Sequence, residues 1–412
     1  MTETVAARRT PSHPSLKVRY RLTPWWVKVL VIFAASRVVS TIILLVFASL
    51  QAANPWTGAH PDYFSFAQIW DGTWFRFVEE YGYPAQLPVD QNGNVQQNTW
   101  AFLPLYPLIT RGLMTLTGLP FDVAGVIISV LCAAGAALVF YKLLTPQLSS
   151  SSALFAVVLF CVAPLSPVYQ VDYAESMQVL FLALALLYLQ RRRYWLTLPF
   201  VAALSFTRPG GLAFALTLGL HVIYRWVVRR RDPFPVREIV AAVSATVISL
   251  ALGYAWPAIA GLVTGRANAY VDTELSWRTP YGFFTLAPFQ PWIEGATWWL
   301  GFIGVTNKVI PIALLVLAVA LFALLMFSPW VKRIGVDLRL WVASWTVYLL
   351  AVFFPQSSVF RMFVPAFPIL GAFAVPKSRV YRVTIVLLFI AGQVAWVYMT
   401  WWFSSSQDWT PP

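Results

Sequence analysis

Ionisable side chains are scarce in this chain, so the few that stand beside apolar runs carry the question of function. Asp71 is bracketed by two tryptophans in Ile69-Trp70-Asp71-Gly72-Thr73-Trp74-Phe75. A carboxylate between aromatic rings is partly desolvated, which makes it a better proton acceptor. Trp70 and Trp74 would also suit the face of a sugar ring. The plainer reading is an aspartate opening a short interfacial helix at Gly72-Thr73-Trp74. Glu175 lies in Val171-Asp172-Tyr173-Ala174-Glu175-Ser176, between two apolar runs, where a lone carboxylate is costly and is usually paired. The charges available to pair with it are Arg37, Arg208 (in Thr207-Arg208-Pro209-Gly210-Gly211) and Arg361, after Phe354-Pro355-Gln356-Ser357-Ser358. A Glu175–Arg208 or Asp71–arginine pair would fasten helices. The same planar guanidiniums would equally clamp a lipid-linked phosphate.

Other constellations are weak. His13, His60 and His221 are scattered, and there is no HExxH, no glycine-rich phosphate loop and no GxSxG. Adjacent acids such as Glu79-Glu80 are ordinary in a solvated loop, so no metal and no cofactor is expected. Cys132 and Cys161, each inside an apolar run, read as small buried side chains. In Phe102-Leu103-Pro104-Leu105-Tyr106-Pro107-Leu108 the two prolines predict a break in any helix and a shaped re-entry into the bilayer.

The elements that must position these residues are transmembrane helices. Apolar residues make up 59% of the chain and charged residues 11%, too much apolar surface for one soluble core. The net charge of +13 comes from short Lys/Arg clusters between apolar runs, with no aromatic-interleaved basic patch, so nucleic acid is not a partner. The pattern predicts an all-α integral membrane protein with about eleven segments. The runs lie near 25–50, 120–143, 153–169, 174–189, 194–206, 211–226, 238–262, 308–329, 338–354, 362–375 and 383–403. Residues 1–412 read as one polytopic domain. With the basic tail 1–24 inside, about 21 of the 29 Lys and Arg fall on the cytoplasmic side and roughly 12 of the 16 acids on the other. The large loops 51–119 and 263–307, the C-terminus and Asp71 are then extracytoplasmic. Segments 194–206 and 211–226 are short, so their Thr207–Gly211 tip is expected below the membrane surface, lining a cavity. The aromatic-rich loops, the second with Trp277, Tyr281, Phe283, Phe284, Trp292, Trp298 and Trp299, read as an interfacial belt or as half-buried helices framing a groove.

Four segments together resemble the PIG-V family, the relatives of GPI mannosyltransferase 2. Trp70-Asp71-Gly72-Thr73-Trp74 with Tyr81-Gly82-Tyr83 is similar to its first luminal loop, and Phe102–Leu108 to its F-P-L-[FY]-P-L stretch. Tyr173-Ala174-Glu175-Ser176 is similar to Y-[SA]-E-S, and Thr207–Gly211 to [TA]-R-[PS]-x-G. The resemblance covers residues 70 to 211 in the family's order. It departs at Leu103, where a second Phe is usual, and continues loosely through Arg361. It implies a GT-C-like multi-helix glycosyltransferase, without metal, that uses a polyprenyl-phosphate-linked sugar, typically mannose, on the extracytoplasmic side. The acceptor it implies is a lipid or glycolipid, and membrane lipids surround both. In that class an acidic residue of the first outer loop is the general base, the position Asp71 occupies. Trp70, Trp74, Tyr173, Glu175, Arg208 and Arg361 are the substrate-binding candidates.

One base and a phosphate leaving group call for a single inverting displacement, with positive charge rather than a general acid at the leaving oxygen. A transporter or flippase for a lipid-linked sugar would place polar residues near the midplane of related halves. Here the carboxylates gather at one face and no repeat is visible. A non-catalytic subunit of a membrane glycosylation complex is the remaining alternative.

Overall fold

A computed structural model describes residues 22–279, 282, 287–403 and 412. The basic tail up to residue 21 and the aromatic residues Tyr281, Phe283 and Phe284 lie outside the described residues. Those described fold into helices joined by turns, with no strand among them. In chain order the principal helices are α1 (Trp25–Leu50), α2 (Asp71–Tyr81), α3 (Leu105–Thr117), α4 (Phe121–Leu144), α5 (Ser150–Val162), α6 (Glu175–Gln190) and α7 (Tyr194–Thr207). There follow α8 (Gly211–Val228), α9 (Val236–Thr264), α10 (Ala269–Leu275), α11 (Gln290–Gly301), α12 (Val309–Met326), α13 (Val336–Val352) and α14 (Arg379–Trp396).

Among the described residues six helices are long and apolar enough to cross a membrane: α1, α4, α8, α9, α12 and α14 with its continuation to Trp401. That fits an all-α membrane protein. All eleven expected apolar runs contain helix, but the other five helices are shorter, and in two of those runs prolines are the reason. The run near 153–169 is interrupted after Val162, where Pro164 and Pro167 turn the chain into a short 3-10 segment, Ser166–Gln170. Pro365 and Pro368 likewise hold Val364–Ile369 in a 3-10 conformation.

The core runs through α4 and α6. Ala133, Ala136 and Ala137 of α4 and Ala183 and Ala185 of α6 are all buried there, and such small side chains let helix backbones approach closely. Around this core the outer helices show apolar faces. On α12, Val309, Leu314, Val316, Leu317, Leu321 and Leu324 are exposed. In water so broad an apolar surface would aggregate; in lipid it is at rest. Where α8 crosses α9, Gly211 meets Gly253, and a Cβ on Gly211 would lie 2.8 Å from the Gly253 Cα. That close crossing sets the height of the Arg208–Gly211 tip.

The 51–119 segment is a folded cap. Tyr83 donates its hydroxyl to the Phe102 carbonyl (2.8 Å), Trp100 Nε1 to Pro84 (3.0 Å) and Trp256 Nε1 to Trp100 (3.0 Å). Contrary to the sequence expectation, the prolines of Phe102–Leu108 do not abolish a helix. Pro104 caps α3 and Pro107 sits in its first turn, where a missing N–H leaves no hydrogen bond unmade.

Arg37, mid-way along α1, is buried and donates to the carbonyls of Ser166 and Cys161, both at 2.7 Å. It closes the carbonyls freed where α5 breaks and takes no part in the charge cluster below. Both cysteines are free thiols.

Candidate active site

Four charges from distant parts of the chain meet at one end of the bundle. Asp71 is the first residue of α2 and Glu175 the first of α6, so each carboxylate sits at a helix N-terminus, where the backbone dipole favours negative charge. Arg208 follows the last residue of α7, where the dipole favours a cation. Pro209 forces the residue before it into an extended conformation, and Arg208 takes φ −153° and ψ 155°. The helix stops and its guanidinium swings into the cluster. Arg361 comes from a single turn, Val359–Met362. That turn is pinned by α13, whose Trp345 Nε1 donates to the Met362 carbonyl (2.8 Å) and Trp341 Nε1 to Pro365 (2.7 Å).

Arg208 Nη2 donates to Glu175 Oε1 at 2.6 Å, and Arg361 Nη1 donates to the same oxygen at 2.8 Å. Asp71 Oδ2 accepts from Arg361 Nη1 at 2.5 Å and lies 3.5 Å from Arg208 Nη1. Two carboxylates therefore share two guanidiniums, and the quartet is formally neutral. Exposure grades across it: the side chains of Glu175 and Arg361 are 1% and 6% exposed, those of Arg208 and Asp71 15% and 18%. Glu175 is the floor and Asp71 the more exposed of the two acids. Glu175 Oε2 and Arg361 Nε, both buried, have no hydrogen-bond partner among the described residues.

Tyr173 is fully buried beneath the quartet. Its hydroxyl accepts the Asp71 backbone N–H (3.2 Å), and the Arg361 guanidinium lies 4.9 Å from its ring centroid. It positions both charges from below.

The two tryptophans part ways. Trp74 stacks on Phe102 (5.5 Å between centroids), meets Trp277 edge-on (5.6 Å), and lines an open cleft of about 390 Å³ with Phe77, Tyr81, Gly82, Pro84, Asn98 and Thr99. Trp70 turns the other way and is buried against Trp56 (5.4 Å) and Phe403 (5.1 Å), so it offers no wall to a ligand. Its backbone has φ +60°, a conformation that costs a bulky residue roughly 1–3 kcal/mol and persists only where packing imposes it. Stacking of the ring holds that turn, and the turn aims Asp71 at the arginines.

Sequence reasoning missed a third acid. Burial lifts the carboxyl of Glu274 on α10 above the usual carboxylate range, against the pull of Arg278, Tyr270 and Arg208. The signal was available as Tyr270-x3-Glu274-x3-Arg278, a spacing that puts all three on one face of a helix. No group of three or more acids, histidines or cysteines among the described residues has the arrangement of a metal site.

No protein-family model matches the chain, and no curated protein does. Among solved structures it is similar to the archaeal oligosaccharyltransferase AglB from Archaeoglobus fulgidus in complex with an inhibitory peptide and a dolichol-phosphate. The identity is 12% and the TM-score 0.41, over 92% of this chain and 56% of that one. An oligosaccharyltransferase from the same organism tethered with an acceptor peptide gives 12% identity and a TM-score of 0.39 over 92% and 56%. Its complex with Zn and sulfate gives 13% and 0.42 over 91% and 54%. This chain spans about half the length of those proteins. Likeness at that level carries no argument about function, which has to come from the site.

Proposed function

We propose that the chain is an integral membrane glycosyltransferase of the GT-C type, moving a sugar from a polyprenyl-phosphate donor to a lipid or glycolipid acceptor on the extracytoplasmic face. The PIG-V resemblance makes mannose the sugar. One observation carries the reading: two arginines from remote segments converge on a partly exposed aspartate and a buried glutamate. Guanidinium pairs of this kind suit a phosphate that gathers charge as its bond to the sugar breaks.

In the reaction Asp71 accepts the proton of the acceptor hydroxyl. The hydroxyl oxygen attacks the anomeric carbon as the bond from that carbon to the phosphate oxygen breaks. The electron pair leaves with the polyprenyl phosphate, and the anomeric centre inverts. Asp71 Oδ2 is held by Arg361. A donor phosphate that drew the guanidinium toward itself would release that oxygen to act as base, coupling donor binding to base activation. The Lys and Arg distribution supports an orientation with Asp71 outside the cytoplasm.

Washed membranes supplied with radiolabelled polyprenyl-phosphate mannose test the reading. Wild-type membranes should transfer label to extractable lipid, and Asp71→Asn, which keeps shape but cannot take the proton, should lose roughly 10²–10⁴ in rate. Transfer by Asp71→Asn within a few-fold of wild type would remove Asp71 as the base. A flippase or an accessory subunit would show no transfer with either protein.

A further inference from the structure

We propose that the aromatic cleft along α2 is the acceptor subsite and selects a ring-shaped polyol, a sugar or cyclitol headgroup, which stacks on Trp74. The proposal rests on the glycosyltransferase reading and adds to it where the acceptor sits and what chemistry recognises it.

Helix geometry places the cleft next to the reacting carboxylate. Asp71 opens the first turn of α2 and Trp74 closes it. Residues three apart on a helix are neighbours, with Cβ atoms about 5–6 Å apart. A ring resting on Trp74 therefore brings its rim, where the hydroxyls project, to Asp71, the more exposed acid of the quartet.

The cleft is also held in shape by its own contacts. Trp74 lies flat on Phe102, their planes within 5° of parallel, and Trp277 meets it edge-on. Gly82 ends α2 with φ 70° and ψ −142°, a conformation that glycine alone takes readily. That turn offers the Gly82 carbonyl to Thr99 Oγ1, which donates to it at 2.9 Å. Asn98 is tied to α10 through Thr273 Oγ1, at 3.0 Å.

The chemistry of the lining picks the ligand. Asn98 has already used its amide: Nδ2 donates to the Gln96 carbonyl (2.9 Å) as well as to Thr273, and Oδ1 accepts the Trp100 N–H (3.0 Å). No charged side chain lines the cleft, so neither a phosphate nor an ammonium is recognised there. What remains for a ligand is aromatic surface: Trp74, with Phe77 and Tyr81, which are 36% and 72% exposed. The face of an aromatic ring is negative and attracts C–H groups that carry slight positive charge. A pyranose or cyclitol presents several C–H bonds on one face and its hydroxyls around the rim. A linear polyol has no such face, and a bare hydrocarbon chain has no hydroxyl to offer Asp71. At about 390 Å³ the cleft is near the small end of the ~300–1,000 Å³ range of ligand pockets, room for a ring or two rather than a long glycan.

The test uses the full-length protein in washed membranes with radiolabelled polyprenyl-phosphate mannose as donor. Octyl mannoside and octylglycerol, the same tail on a ring or a linear head, are supplied as acceptors. Wild type should label the octyl mannoside roughly tenfold more efficiently than octylglycerol. Trp74→Leu keeps apolar bulk but loses the aromatic face. It should raise the octyl mannoside concentration for half-maximal labelling roughly tenfold, with donor half-saturation within about twofold of wild type. Trp74→Tyr should recover most of that loss. Tyr81→Ser, at an exposed position, should raise the same concentration severalfold, and it alone decides if Trp74→Leu does not fold. No preference of wild type for the octyl mannoside, or variants within about twofold of wild type, overturns the acceptor subsite and leaves the glycosyltransferase reading standing. Absence of transfer by wild type to any lipid overturns both.

Discussion

Glu175→Gln separates a phosphate receptor from a helix fastener, because the two roles give opposite signs. The glutamate is 1% exposed and accepts from both arginines, at 2.6 and 2.8 Å. Glutamine keeps the shape and an accepting oxygen but loses charge assistance on two hydrogen bonds, roughly 1 kcal/mol each. The folded protein should therefore lose about 2 kcal/mol and melt a few degrees lower. The quartet changes from neutral to a net positive charge, with Asp71 alone opposite two guanidiniums. A phosphate about 6 Å from the lost charge gains up to ~3 kcal/mol at an effective dielectric of about 20. Even half of that gain is about tenfold in affinity. Purified protein titrated with undecaprenyl phosphate, with melting curves in parallel, reads both numbers. The expected outcome is a less stable protein that binds the lipid phosphate more tightly and transfers sugar more slowly, because the arginines have lost their floor. Weaker binding that tracks the lost stability would make the quartet a fastener and refute the argument.

The remaining predictions probe separate links. Arg208→Lys keeps the charge but loses the fork that spans Glu175 and Asp71; transfer should drop roughly tenfold or more with the melting temperature little changed, as a donor titration against wild type will read. Recovery of near-full activity by the charge-swapped pair Glu175→Arg, Arg208→Glu would rule out a phosphate role. Asp172, in the turn joining α5 to α6 and buried against Gly125 of α4 and Gly72 of α2, has its carboxyl held well above the usual range by burial and then by Asp122. An acid with a raised folded pKa loses stability as pH climbs from the ordinary carboxylate range through the raised value, so Asp172→Asn should gain on wild type in melting temperature between about pH 5 and about pH 8. An equal difference at both pH values would contradict that. Gln91→Cys and Thr297→Cys should label with an impermeant reagent in intact cells while Arg192→Cys should not; the reverse pattern would overturn the orientation.

The sequence made the charged residues visible but not their partners. Asp71, Glu175, Arg208 and Arg361 stand out because each interrupts or borders an apolar stretch, where charge needs a reason. That Arg361 reaches back 290 residues to Asp71 and 186 to Glu175 could not be read from spacing. The Glu175–Arg208 pair was foreseeable, because both lie at the same ends of neighbouring short helices. Trp70 and Trp74 looked equivalent around Asp71, yet the positive φ at Trp70 reverses the chain direction and sends its ring into the core. The prolines of Phe102–Leu108 misled for a related reason: a proline's effect depends on which turn of the helix holds it. Glu274 escaped notice because its loop reads first as a belt of tryptophans. The count of eleven segments rested on hydropathy runs, which cannot register proline-imposed breaks such as the one after Val162.

A second charge cluster shows what a fastener in this fold looks like. At the far end of α7, Tyr194 donates its hydroxyl to Glu238 (2.9 Å) and lies 3.0 Å from His221 Nε2, while His221 Nδ1 is 2.7 Å from Asp337. Arg225 joins Glu238 (3.4 Å) to Asp232 (3.2 Å), and Arg192 closes on Asp232. These contacts form a line in which each residue passes to the next, tying the ends of α7, α8, α9 and α13. Its members, Asp337 apart, lie within one stretch of chain, and their role is satisfied by the line itself. The quartet at the opposite end is built differently. Its arginines each touch both acids rather than passing along a line, and its members are drawn from four remote segments. A fastener needs only one good partner per charge. Two guanidiniums both held on the same two carboxylates, one of them partly exposed, make a place where an incoming anion can replace a carboxylate as the arginines' partner.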